Sequence, residues 1–112
     1  MGSFDSVIGE QLSSVIFVQD YLQLDFDGQT MNYYAWPTLK SGTIELMFPH
    51  PNYRNFLCEF IAKLVAGVND VPDTLFEIVF EDGSSILLDL TCAAGEVIFY
   101  TLNEGRWGVI EI

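Results

Sequence analysis

The stretch that decides the fold is LFEIVFEDGSSILLD, residues 75–89. Before its turn, large apolar residues recur at every second position, which is the spacing of side chains along one face of a β-strand. Gly83 favours a turn, because glycine takes a positive φ without a Cβ clash. A three-residue loop ending at Gly83 pairs Ile78 with Ile86, whereas a two-residue loop would bring Asp89 onto the apolar face. We therefore predict a hairpin with the three-residue loop.

A similar pattern occurs earlier, in LQLDFDGQTMNYYAW, residues 22–36. Here a two-residue turn at Asp27 and Gly28 pairs Leu24 with Met31 and separates an apolar face from a polar one, as expected for an antiparallel pair on a core. The turn is predicted to be type I′. Two such hairpins are consistent with an internal duplication of a β-meander, and also with chance, because Asp-Gly hairpins are common.

The rest of the chain adds strands on either side of one helix. Apolar residues from Phe56 to Val65 recur at the spacing of an amphipathic helix, and Gly67 favours its end. Four strand-like segments precede the helix and four follow it, at residues 12–18, 21–26, 29–36, 43–48, 75–80, 84–91, 96–102 and 106–112. We predict an α+β fold with antiparallel strands in ββββ-α-ββββ order and one helix packed on the sheet. Residues 1–112 then form a single domain, with 1–11 as a loose N-terminal lead-in.

The charge and the aromatic content restrict the partners. The formal net charge is −12, with 16 acidic residues against four basic ones. Binding to phosphates requires several basic contacts, so this balance argues against nucleic acid and against an anionic membrane surface. An acidic surface favours a basic protein partner or serves solubility. Nine Phe, five Tyr and two Trp exceed the needs of a small core and indicate a subunit interface, so we predict a homo-oligomer, a dimer.

The sequence gives no sign of catalysis, of a cofactor or of membrane insertion. It lacks a basic segment followed by an apolar run and any window of about 18 apolar residues, so we predict a cytoplasmic protein without a signal peptide. Cys58 and Cys92 are compatible with free thiols and with a disulfide. His50 has no nucleophile or orienting carboxylate near it in sequence. We therefore predict no catalytic residue, no metal and no cofactor, and favour a protein that is not an enzyme.

Aromatic residues supply the candidate interaction site. By the register of the earlier hairpin, Tyr34 and Trp36 point away from the core face, and adjacent exposed Tyr and Trp side chains resemble an interface hot spot. The alternative is that these two residues lie under a second layer formed by the C-terminal strands. Trp107 beside Arg106 is a similar case, in which cation–π stacking can form.

The turn segments FDG, residues 26–28, and FEDGS, residues 80–84, together with EGRWGV, residues 104–109, resemble small uncharacterised bacterial β-rich domains, some of them immunity proteins. This resemblance implies a non-catalytic protein that acts through protein–protein contacts, and it assigns no functional residue. Two other hypotheses follow from the residues themselves. One is a self-associating accessory protein with edge strands near residues 43–48 or 106–112. The other is a small-molecule binder or enzyme with a pocket between sheet and helix.

Overall fold

The computed structural model describes residues 4–92 and 95–112, without the side chain of Cys92. These residues form two five-stranded antiparallel sheets and one short helix, α1 (Tyr53–Cys58). The strands in chain order are β1 (Ser14–Phe17), β2 (Leu22–Phe26), β3 (Gln29–Tyr33), β4 (Thr38–Ser41), β5 (Ile44–Leu46), β6 (Val65–Val71), β7 (Leu75–Phe80), β8 (Ser85–Asp89), β9 (Glu96–Thr101) and β10 (Trp107–Glu111). The first sheet has the order β1-β2-β3-β9-β10, and the second has the order β5-β4-β8-β7-β6.

Both predicted hairpins are confirmed in register and in turn. Leu24 lies opposite Met31, and the intervening Asp27 and Gly28 have φ angles of 54° and 100°, as a type I′ turn requires. In the later hairpin Ile78 lies opposite Ile86, as the three-residue loop predicts. Apolar side chains therefore share one face in each hairpin.

The two sheets enclose a common core. Inward-facing side chains from both are buried in one cluster, among them Leu22, Leu24, Phe26, Met31, Leu39, Phe76, Ile78, Phe80, Ile86 and Leu88. The segment before β1, expected to be a loose lead-in, adds to this cluster. The ring of Phe4 contacts Phe76 of the second sheet and Tyr100 of the first, with centroid distances of 4.9 and 4.8 Å.

The predicted order of strands and helix is wrong in two places. Thr38–Ser41 is a strand, and Val65–Val71 is a strand where the predicted helix should have ended. The helix ends at Cys58, and beyond that point the predicted apolar stripe does not share one face: Phe60 and Val65 are buried, whereas Ile61 and Leu64 are 40% and 42% exposed. The described chain is thus mostly β, with five strands on each side of one short helix.

The two halves of the chain have the same connectivity. In each half, three strands form a meander in one sheet, β1-β2-β3 or β6-β7-β8. The next two strands form a hairpin that extends the other sheet, with β4 beside β8 and β9 beside β3. Each sheet therefore combines the meander of one half with the hairpin of the other.

The correspondence extends to single hydrogen bonds where the halves meet. Ala62 and Val65 lie 53 positions after Gly9 and Leu12. The Gly9 N–H donates to the Val65 carbonyl at 2.8 Å, and the corresponding Ala62 N–H donates to the Leu12 carbonyl at 2.7 Å. Gly9 and Ala62 also share a positive φ, 88° and 80°. A shift of 53 residues thus relates the two segments that precede β1 and β6.

Candidate functional site

The outer face of the first sheet carries the most exposed aromatic side chain of the strands. Because side chains alternate along a strand, each residue of this face lies between two that point to the core. Cross-strand pairing arranges the face in two rows. One row is Ile16, Gln23, Asn32, Phe99 and Val109, and the other is Ser14, Asp25, Thr30, Thr101 and Trp107. We call these ten residues, with the adjoining Tyr34, the Trp107 face.

Apolar surface is concentrated at the β10 side of this face. Trp107 is 68% exposed and lies 6.0 Å from the ring of Phe99. Val109, beside Phe99 in the same row, is also exposed. At the other end Tyr34 is exposed and contacts Tyr21 at a centroid distance of 5.7 Å. A partner could cover these side chains without any rearrangement of the sheet.

The charges on the strands that form the Trp107 face are all negative. The five strands of the first sheet contain no Lys or Arg, but they contain Asp25, Glu96 and Glu111. Glu96 and Glu111 are exposed and lie opposite each other across β9 and β10. Like charges in directly opposed positions are unfavourable, so a cation from outside the chain would relieve this pair.

The second sheet has a different outer surface at the corresponding positions. Lys40 lies opposite Glu45 there, as Thr101 lies opposite Trp107 in the first sheet. The Lys40 ammonium and the Glu45 carboxylate are 3.9 Å apart. The second sheet therefore has a cross-strand ion pair in the place where the first sheet presents a tryptophan.

The four predicted site residues fall in three different surroundings. Tyr34 and Trp107 lie on the Trp107 face, and both are exposed. Trp36 instead stacks on Phe48 at 4.2 Å and is partly buried against the core. It therefore fits the second-layer alternative, although the cover comes from residues near α1 rather than from the C-terminal strands. Arg106 is exposed, and its Nη2 donates to Ser6 Oγ at 3.1 Å.

The groups with altered acidity are structural. Hydrogen bonds from Lys63 and then from Ser84 hold the pKa of Asp82 well below its usual range. Burial raises the pKa of Tyr33 and of Tyr53, whose hydroxyl donates to the Pro37 carbonyl at 2.5 Å. These residues lie in a turn and in the core, away from the Trp107 face.

No catalytic arrangement is evident among the residues that the structure describes. His50 Nδ1 accepts a hydrogen bond from the backbone N–H of Asn52 at 3.0 Å. Within residues 4–92 and 95–112 there is no group of three His, Cys, Asp or Glu side chains able to hold a metal ion. Over the same residues, α1 is far shorter than a helix that could cross a membrane.

Sequence reasoning did not locate a groove between β5 and α1. It has a volume of about 270 Å³ and is lined by Ile44, Leu46, Asn52, Asn55, Phe56 and Glu59. The sequence predicted a pocket between sheet and helix as one hypothesis, without naming the residues that line it. The sequence signal for the polar part of the lining is the series of polar residues Asn52, Asn55 and Glu59 in and beside the helix.

Comparisons with protein-family models, with curated proteins and with solved structures found no match to this chain.

Proposed function

We propose that the chain is a non-catalytic binding protein that recognises a basic partner protein through the Trp107 face. The observation that carries this proposal is the 68% exposure of Trp107 on an ordered strand. Tryptophan is enriched at protein interfaces, and it is among the residues that dominate interface energetics. An immunity or inhibitor protein of the kind that the sequence resembles would act in this way.

Charge supports a basic partner. With 16 acidic residues and four basic ones, at least 12 carboxylates cannot be neutralised one-to-one within the chain. The Trp107 face adds no cation and is bordered by the opposed pair Glu96 and Glu111. A partner with basic residues around an apolar patch would match this surface and would associate faster at low salt.

We also infer that the chain arose by duplication of a five-stranded unit. The shared connectivity and the hydrogen bonds related by 53 residues support this inference. On this view the ion pair Lys40–Glu45 and the pair Thr101–Trp107 descend from one pair of positions. The halves then differ where one surface became specialised for binding.

Self-association is the second candidate function. β5 and β10 are both edge strands, and exposed apolar side chains lie on or beside them, with Met47 63% exposed. A homodimer through either edge would bury this surface. It would also bring together two chains that each carry a charge of −12, which is why we favour a basic partner.

The test replaces the cross-strand pair of the first sheet by that of the second, in the double variant Thr101→Lys with Trp107→Glu. Tagged full-length wild type and variant are used to capture partners from the organism that makes the chain, and the captured protein is identified and purified. We expect the variant to bind the purified partner about 30-fold more weakly, the loss typical of a tryptophan hot spot. The control is Glu45→Ala, which should bind normally.

Two outcomes would contradict the proposal. One is equal affinity of wild type and double variant for the purified partner. The other is the absence of any retained partner at low salt, where an acidic surface binds best. Sedimentation velocity of the wild type alone tests the second candidate, because self-association would appear as a dimer in the absence of any partner.

A further inference from the structure

We propose that the groove between β5 and α1 is a binding site for an arginine side chain of another protein. This site shares no residue with the Trp107 face, so the inference goes beyond the function proposed above and is tested separately. The groove combines an apolar floor with one carboxylate and two carboxamides, which is the chemistry that an aliphatic stem ending in a guanidinium requires.

The polar groups of the groove have no hydrogen-bond partner within the described chain. Ile44, Leu46 and Phe56 form the apolar part of the lining. The side chains of Asn52, Asn55 and Glu59 form the polar part, and none of them makes a hydrogen bond or an ion pair to the described residues. A guanidinium has five N–H donors in a planar fork and can bond to a carboxylate and a carboxamide together.

The other half of the molecule shows an arginine at the corresponding place. Ser6 lies 53 positions before Glu59 and therefore corresponds to it. Arg106 corresponds to Ile44, because each directly precedes one residue of the corresponding pair Trp107 and Glu45. There the guanidinium of Arg106 donates to Ser6 Oγ at 3.1 Å. In the groove the residue that corresponds to Arg106 is the uncharged Ile44, and the acceptor is a carboxylate. The groove thus offers a carboxylate acceptor and has no guanidinium of its own strand to fill it.

Nearby cations do not occupy the site. Arg54, on the same helix, has its guanidinium 5.8 Å from the ring centroids of both Phe17 and Phe48. Lys40 is paired with Glu45, on the strand that borders the groove. Glu59 is therefore the carboxylate of this region that is left for an external cation.

The test uses N-acetyl-arginine amide as the probe and ¹⁵N-labelled full-length protein in a chemical-shift titration. We expect shifts concentrated at the backbone amides of residues 52–59, with saturation in the millimolar range, as befits one side chain. N-acetyl-citrulline amide, which has the same shape without the charge, should shift these amides much less.

Two matched variants make the result specific. Glu59→Gln keeps the shape of the side chain and should weaken binding about two- to fivefold, the effect of a partly exposed charge pair. Glu81→Gln removes an exposed carboxylate elsewhere and should leave the affinity unchanged. The inference is wrong if both variants weaken binding equally, if citrulline binds as well as arginine, or if the shifts spread over the acidic surface. None of these results depends on whether the Trp107 face has a partner.

Discussion

The two halves of the chain share a backbone scheme and differ in what they present to solvent. Both begin with a segment that crosses its counterpart through matched hydrogen bonds, and both continue as a meander and a hairpin. On the outer faces, however, one half places Lys40 opposite Glu45 and the other places Thr101 opposite Trp107. The backbone is constrained because every buried amide needs a partner, whereas an outward side chain is free to change. The two outer faces therefore differ in their side chains although the backbone scheme is shared.

The inner faces also differ, by compensating changes of size. In the second sheet Leu39 lies opposite Leu46, and at the corresponding positions of the first sheet Tyr100 lies opposite Gly108. The first sheet has a large side chain opposite a glycine where the second sheet has two leucine side chains of intermediate size. The Tyr100 ring thus uses the space that a side chain at Gly108 would fill.

The largest effect is expected when this compensation is broken by Gly108→Ala. A Cβ at Gly108 would lie 2.4 Å from Tyr100 Oη and 2.6 Å from Cζ, so the tyrosine ring must move away from Phe4. We expect a loss of about 1–3 kcal/mol in the free energy of unfolding, measured by urea denaturation. Gly67→Ala is the matched control in an edge strand of the other sheet, because no atom lies within 4 Å of its Cβ position. Equal losses in the two variants would contradict the size compensation.

The next effect concerns the residues with positive φ where the halves cross. Ala62 has a φ of 80° and corresponds to Gly9, at 88°. A left-handed conformation is strained for alanine and not for glycine. We expect Ala62→Gly to raise the free energy of unfolding by about 0.5–1 kcal/mol and Gly9→Ala to lower it by a similar amount. The same sign of change in both variants, in thermal or urea unfolding, would show that the two positions are not equivalent.

Some elements of the fold could be predicted from the sequence and others could not. The hairpin registers could be predicted because a slip of one residue would have exposed a full row of apolar side chains, as at Ile78 and Ile86. Val65–Val71 could not, because the apolar spacing before it also fits a helix. The decisive contact is tertiary: Val65 lies opposite Phe80 and its N–H donates to Glu10.

The candidate site was predictable in part for a related reason. Tyr34 could be placed on an outer face from the alternation of the earlier hairpin. The same alternation failed for Trp36, since β3 ends at Tyr33 and the chain then turns toward Phe48. Period-two reasoning holds only while the strand continues, and nothing local in the sequence marks that end before Pro37.

A smaller effect is expected at the polar residues that follow the two hairpin turns. In the second half Lys63 donates hydrogen bonds to both Asp82 and Ser84. In the first half Gln29 takes the place of Ser84, and its side-chain oxygen accepts a hydrogen bond from the hydroxyl of Ser6 at 2.6 Å. Because its pKa is lowered in the folded chain, Asp82 stabilises the fold above its ordinary pKa of 3.8, and this contribution is lost as the pH falls below that value. The first-half arrangement has no such dependence.

The variant Asp82→Asn tests this difference. Since the Asp82 side chain is 51% exposed, we expect a loss of only about 0.5 kcal/mol at neutral pH, and a smaller loss as the pH falls below 3.8. Urea midpoints recorded between about pH 6 and pH 2 give the comparison. Asp27→Asn in the other turn is the control, because asparagine is equally suited to a type I′ turn. A pH-independent difference between wild type and Asp82→Asn would contradict the assignment.

The smallest effect is expected at Tyr33, which corresponds to Leu88 of the second half. Each lies at the far end of its hairpin, Tyr33 opposite Leu22 and Leu88 opposite Phe76. Its hydroxyl is buried and has no hydrogen-bond partner among the described residues, so the hydroxyl adds a desolvation cost that Leu88 does not have.

We therefore expect Tyr33→Phe to leave the free energy of unfolding unchanged or to raise it by less than about 0.5 kcal/mol. Tyr53→Phe is the control, since its hydroxyl donates to the Pro37 carbonyl at 2.5 Å and its removal should cost about 1 kcal/mol. If Tyr33→Phe destabilises the fold as much as Tyr53→Phe, the Tyr33 hydroxyl has a bonded partner, such as a buried water, and the two halves differ in polarity at this position for a structural reason.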